Sequence, residues 1–492
     1  MFSSLEIIAA VLAYMAVLFV LAQWAENTKR GRAVASHPIV YALGLAVYCT
    51  TWTFYGSVGK ASKGGMGFIT IYLGPTLLLL VGGSLLRKMI RIKNAHHITS
   101  VADFISARYG KSQGVAALVT TILMVGIVPY VGLQLKAVSG TVHLMTVAAD
   151  GTPSPFASYF NPMIVVIMVA FTIVFGIRHL DPTERHPGMV FSVAAEAIVK
   201  VTAFLAAGSF VVVLAFGDFG GFVDHINTAD LDMPFFGRGD ATQTMTWFTL
   251  IALSTSAFGL LPRQFHVAVI EASSEKQVRT AQWLTPLYLI IINLLVVPVA
   301  LGGKLVAAAG TSGDQYVLAL PLQNGQAALS LAVFIGEFSA AIGMIMVSAM
   351  TMSTMTSNHL LMPVIVRVAP LRFLQRHLLY LRWAATAAFV GAGYGFEVGI
   401  GGSYMLVAIG LISFAAAFIL APVFLVGMNW RSASRRGALA ALAVGFATWL
   451  WTLFIPTLIK SGWLQQRSCP MALSASAGCV QRRCLTCREC RH

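Results

Sequence analysis

Apolar runs of about twenty residues recur from the amino terminus to residue 460, and they limit the fold more than any other feature. A run such as "LEIIAAVLAYMAVLFVLA" is long enough to cross a bilayer as a helix. In hydrocarbon every backbone donor and acceptor needs an internal partner, so a spanning chain is helical or a closed barrel. Of the 492 residues, 57% are hydrophobic and only 10% charged. A soluble domain usually carries about a quarter charged residues, so the polar surface that one of this size needs is missing. The pattern predicts an all-α polytopic membrane protein with about 12 transmembrane helices and no soluble domain. The spans are read at 5–23, 38–59, 67–86, 113–138, 159–177, 188–216, 244–262, 281–303, 327–355, 380–396, 402–428 and 437–459. The first run has no basic residue before it and no small-residue cleavage site after it, so it reads as a span rather than a signal peptide.

The net charge of +15 would suit nucleic acid in a soluble protein. Here it reads as topogenic Lys and Arg, with no nucleic-acid partner. Alternate loops differ sharply: one set runs from Lys29 to Arg436 and is rich in Lys and Arg. The other holds only Lys60, Lys63, Arg238 and Lys304. The positive-inside rule puts the basic set in the cytoplasm and the amino terminus outside.

Two spans carry weak points. Span two reads "VYCTTWTFYGSVG", and span seven reads "LIALSTSAFGLLPRQF". Thr, Ser and Gly weaken a helix and offer ligands at the same place. Paired, interrupted helices in corresponding positions of two inverted halves mark the binding site of a secondary transporter. Small and hydroxylated residues also promote plain helix packing. Span nine adds "VSAMTMSTMTSNHLLMP". Its hydroxyl and carbonyl oxygens suit an alkali cation, or the hydroxyls bond back to their own helix.

In this order, "ITSVADFISARYGKS", "PYVGLQLKAV", "LLPRQFHVAV" and "MSTMTS" resemble the sodium/solute symporter family over roughly residues 5–460. With "YCTTWTFYGSVG" and "IYLGP" added, the chain resembles most the membrane module of symporter-type bacterial sensor histidine kinases, without the kinase part. The resemblance implies a domain over 1–460 of two inverted five-helix repeats, about 38–216 and 244–428, with flanking helices outside. It implies Na⁺ as coupling ion, held by backbone carbonyls near Cys49, Trp52 and Met350 and by the hydroxyls of Ser353 and Thr354. Many symporters carry an aspartate at about the place of Thr51, and that departure weakens the expectation of tight sodium coupling. The small-molecule solute, an amino acid or carboxylate, would touch Thr51, Trp52, Tyr55, Gln134, Ser254, Ser256 and Phe258. Its other partner is the lipid bilayer. The expected activity is sodium-coupled symport by alternating access. The alternative is a nutrient-sensing input module, with a kinase or response-regulator link only in a full-length relative.

Lys136, Glu196, Lys200 and Glu337 fall inside spans, where ionisable residues are costly and often functional. Glu196 and Lys200 are four apart and share a helix face, so they are expected to pair. "RYGKS" is not a phosphate loop, because Ile105 stands where the first glycine belongs. "RIKNAHHITSVADFISARYG" reads in part as an amphipathic interfacial helix. No catalytic triad or metal cluster is legible, and the chain is not read as an enzyme. The segment 461–492 differs from everything before it. Its "CLTCREC" has a zinc-like spacing, but it reads better as an out-of-frame, disordered end.

Overall fold

The protein is described from a computed structural model covering residues 2–146, 157–177, 185–228, 241–400 and 406–460. The Cys- and Arg-rich tail, with its zinc and out-of-frame readings, lies outside the described residues.

Those residues are helical, with no strand among them. The principal helices are α1 (Ser4–Asn27), α2 (Pro38–Gly44), α3 (Ser57–Gly64), α4 (Thr70–Leu80), α5 (Gly83–His96), α6 (Val101–Arg108) and α7 (Gln113–Thr146). They continue with α8 (Ala157–Gly176), α9 (Pro187–Phe216), α10 (Ala241–Leu260), α11 (Lys276–Asn293), α12 (Val296–Val306) and α13 (Ala327–Thr356). Four more follow: α14 (Leu378–Ile400), α15 (Leu406–Phe418), α16 (Leu420–Asn429) and α17 (Arg435–Trp449). Local chemistry sets several starts. Ser3 and Glu6 form a reciprocal capping box on α1. Proline opens α2 and α9, where its missing N–H costs nothing. Ser100 and Ser434 cap α6 and α17.

Among the described residues, eight helical stretches are long and apolar enough to cross a membrane, or nine if the bent pair Ala241–Leu260 and Pro262–Ile270 is one span. The polytopic expectation holds at that level. Pro38–Tyr48 and Pro162–Gly176 are apolar but shorter than a full crossing, and the expected spans two and three share the single stretch Trp52–Leu80. The stretch Ala327–Arg367 is 83% buried over its most apolar window, Ser4–Asn27 only 22% and Arg435–Ile459 only 17%. α13 is therefore the axis of the bundle, and α1 and α17 lie on its rim with apolar side chains such as Leu5, Val20 and Val444 turned outward.

Small residues let the inner helices approach closely. At Gly343 of α13, an added Cβ would run into the carboxylate of Glu196 on α9. At Gly74 of α4 it would meet the Ser254 hydroxyl and the Thr255 backbone on α10. This is packing by fit and polar contact, as expected where lipid removes the hydrophobic driving force.

The expected interfacial helix is different in kind. α6 is buried at Val101, Ala102, Phe104 and Ile105. Arg108 ties it to the carbonyls of Gly427 at 2.7 Å and Trp430 at 2.8 Å. α6 is thus packed within the bundle, while the first part of the expected segment, Arg91 to His97, is largely exposed at the end of α5.

Candidate functional site

α2 tightens into a 3₁₀ turn at Leu45–Tyr48, and the helix comes apart at Cys49, whose ψ is 103°. It resumes through a wide turn at Trp52–Gly56 before α3. This is the break expected from "YCTTWTF". Its freed groups find partners from three directions. The Thr51 N–H and hydroxyl donate to Gln134 Oε1 at 3.2 and 2.9 Å. Thr50 Oγ1 shares a hydrogen bond with the Tyr130 hydroxyl at 3.0 Å. The Lys200 ammonium donates to the carbonyl oxygens of Cys49 at 3.0 Å and Ala46 at 3.3 Å. All of these side chains are buried.

The second break falls at the proline end of the stretch that the sequence marked, not among its hydroxyls. α10 runs unbroken through Ser254, Ser256 and Phe258, and the chain breaks at Leu261, ψ 134°, with a 55° bend into the segment that follows. Pro262 is the cause: its ring disfavours helical geometry for the residue before it. Ser254 Oγ donates to the carbonyls of Thr70 and Ile251, both at 3.0 Å, so it joins α10 to α4. Ser256 and Phe258 line an apolar cavity of about 90 Å³ with Leu78, Leu86, Met89 and Phe424. The predicted substrate set is thus divided. Thr51 and Gln134 meet at the first break. The Trp52 ring lies 6.0 Å from that of Tyr72 and packs on Gly410, as does Tyr130. The Tyr55 hydroxyl accepts from Thr141 at 3.3 Å.

The predicted sodium ligands are also engaged. Ser353 Oγ donates to the Met350 carbonyl at 2.9 Å, and Ser357 Oγ to the Ser353 carbonyl at 2.6 Å. These are back-bonds within the helix, the plainer reading of a Ser/Thr-rich stretch. Thr354 lines a small pocket with Ser100, Pro262 and His266. The Cys49 carbonyl, expected to face the ion, carries the Lys200 ammonium. The residues present therefore do not fit Na⁺ at this place: a fixed cation already uses the break.

Sequence reasoning missed Arg263. It stood among the topogenic residues of a loop, yet it is 1% exposed, just past the second break. Its guanidinium lies 4.6 Å over the ring of Tyr130, whose hydroxyl is its polar neighbour, and none of its three nitrogens has an acceptor in hydrogen-bonding geometry. Gln134 Nε2 and Gln264 Oε1 are likewise buried without partners. Tyr130 and Gln134 are four apart on α7 and share a face, so Arg263 and the Gln134 amide converge on one stripe. The proline in "LLPRQF" was the available signal: it turns the chain inward and carries Arg263 with it.

The expected Glu196–Lys200 pair does not close into an ion pair. Both Glu196 oxygens, and both Glu337 oxygens, are buried without hydrogen-bond partners. At the Lys/Arg-rich end, Glu271 accepts from the His186 N–H at 2.7 Å and pairs with His266 Nε2 at 3.1 Å. Burial alone would raise its carboxyl, but hydrogen bonding and charge from His266 and His186 win and hold it below the ordinary value. Tyr41 reaches from α2 to the Ala268 carbonyl at 2.7 Å and helps seal that end.

With this geometry in place, known proteins give a frame. The chain is similar to a substrate-bound, outward-open Na⁺-coupled sialic acid symporter, with a TM-score of 0.58 and 12% identity over 92% of this chain and 98% of that one. The chain shares the fold of that protein. A manganese transporter of Eremococcus coleocola aligns more loosely, with a TM-score of 0.44 and 13% identity over 89% of this chain and 97% of that one. No family model and no curated protein matches the sequence.

Proposed function

We propose that the protein is a secondary carrier for a small carboxylate or amino-acid solute, working by alternating access across the bacterial inner membrane with its amino terminus outside. The halves 38–216 and 244–428 act as inverted repeats, and the solute binds where their broken helices meet. The shared fold supports the carrier reading. One observation carries the solute class: the buried Arg263 guanidinium, without an acceptor in hydrogen-bonding geometry, and the unpartnered Nε2 of Gln134 on the same face of α7 as Tyr130. An uncompensated buried charge costs about 3–5 kcal/mol, and a carboxylate answers a guanidinium with two parallel hydrogen bonds. The Tyr130 ring beneath Arg263 and the Trp52–Tyr72 pair give the aromatic walls of a small-metabolite site.

Sodium is the coupling ion that the resemblance implies. The Na⁺-coupled neighbour supports it, and the contact of Lys200 with Cys49 weighs against it.

The test is uptake and binding in proteoliposomes over amino acids and short carboxylates, each compared with its amide. The acids should be taken up saturably and the amides should not compete. Arg263→Gln should weaken binding about thirtyfold or more, the usual loss when one partner of a buried charge pair is removed. Arg263→Lys should restore only part of it, since lysine lacks the planar fork. Amides competing as well as acids would discard the carboxylate reading.

A further inference from the structure

The first half of the broken helix ends at the carbonyls of Ala46 and Cys49. A helix C-terminus carries partial negative charge on its free carbonyls. The Ala46 oxygen already accepts from the Cys49 N–H at 2.9 Å, and the Cys49 oxygen points out of the break. Lys200, 2% exposed on α9, places its ammonium on both. The groups facing Lys200 are Glu196 from its own helix, the Cys49 thiol and Arg263. Glu196 in turn faces Tyr14 of α1 and abuts Gly343 of α13, and Tyr288 of α11 bonds the Ala197 carbonyl at 2.8 Å beside it. A mobile alkali ion at the Cys49 carbonyl would stand against two fixed cations in a water-poor interior. Like charges repel most strongly there.

We infer that Lys200 is the resident cation of this carrier: its ammonium holds the broken helix in the position a sodium ion would take, so the break needs no Na⁺. One observation beyond that contact supports it: the Ser353 hydroxyl is turned back onto its own helix, donating to the Met350 carbonyl. Glu196, four residues before Lys200 on the same face, acts on the ammonium through the field but does not hydrogen-bond it, so it does not pull the ammonium off the carbonyls.

The inference rests on the carrier reading only for its transport arm, so the test has an arm without transport. Purified protein in nanodiscs is unfolded thermally in NaCl and in choline chloride of equal strength. The same two salts are used for uptake in proteoliposomes. Wild type should show the same midpoint in both salts, and uptake within twofold. Lys200→Ala vacates the cradle and should become selectively stabilised by Na⁺, by several degrees. Lys200→Arg keeps a fixed cation and should stay indifferent to salt identity. A wild-type midpoint raised by Na⁺ over choline, or uptake falling tenfold without Na⁺, overturns the inference. Failure of every solute to be taken up would sink the carrier reading and leave the thermal arm to decide on Lys200.

Discussion

At the residue scale, the same residue types serve opposite ends in this bundle. Thr50 and Thr51 sit where the backbone has come apart and bridge to Tyr130 and Gln134. Ser254 sits in an intact helix and bonds carbonyls of its own helix and of α4. A sequence shows hydroxyls in both places and cannot tell them apart, because the difference is whether a neighbouring residue breaks the ladder. The two groups should separate by substitution. Ser254→Ala should leave the solute KM within twofold and cost about 1 kcal/mol of stability for the lost hydrogen bond. Thermal unfolding alongside uptake checks this, and a tenfold rise in KM would return Ser254 to the binding site.

At the element scale, the loop between α12 and α13 acts as a cap. Asp314 lies against Gly59 of α3, where any Cβ would collide with its carboxylate, and Gly313 sits on Ser62. Burial pushes the Asp314 carboxyl up to about 6, against the opposing pull of Lys63 and Lys136. A carboxyl raised in the closed cap stabilises it when protonated. That contribution is full below the ordinary aspartate value near 4 and is lost as pH rises through 6. Hydrogen exchange at residues 307–316 should therefore be slower at pH 5 than at pH 7.5, beyond the intrinsic rate change, and Asp314→Asn should remove the difference. Equal protection factors at the two pH values in the wild type would exclude this role.

At the scale of the whole molecule, the central residues are closed from both ends. Thr51, Gln134 and Trp52 are buried beneath the cap, and the Glu271–His266–His186 cluster and Tyr41 close the basic end. Alternating access requires each closure to open in turn. A Cβ at Gly313 would lie 3.1 Å from that of Ser62, close to disulfide reach. Ser62→Cys with Gly313→Cys should then stop uptake under oxidation and recover with reductant, and uptake that continues through a formed cross-link would show that the cap does not gate.

The sequence by itself determined the bilayer as solvent and the helical class, and it marked the first break. Apolar runs of about twenty residues cross lipid as helices because the backbone needs internal partners, and "CTTWTF" is a place where hydroxyls compete with the helix ladder. Only the tertiary structure decided who meets at the break. Arg263 and Lys200 lie in chain segments far from Cys49, and their roles come from burial and direction, which depend on how distant helices pack. The same dependence sent Ser256 and Phe258 to an apolar cavity, turned Ser353 onto its own helix and put a lysine where an ion was expected.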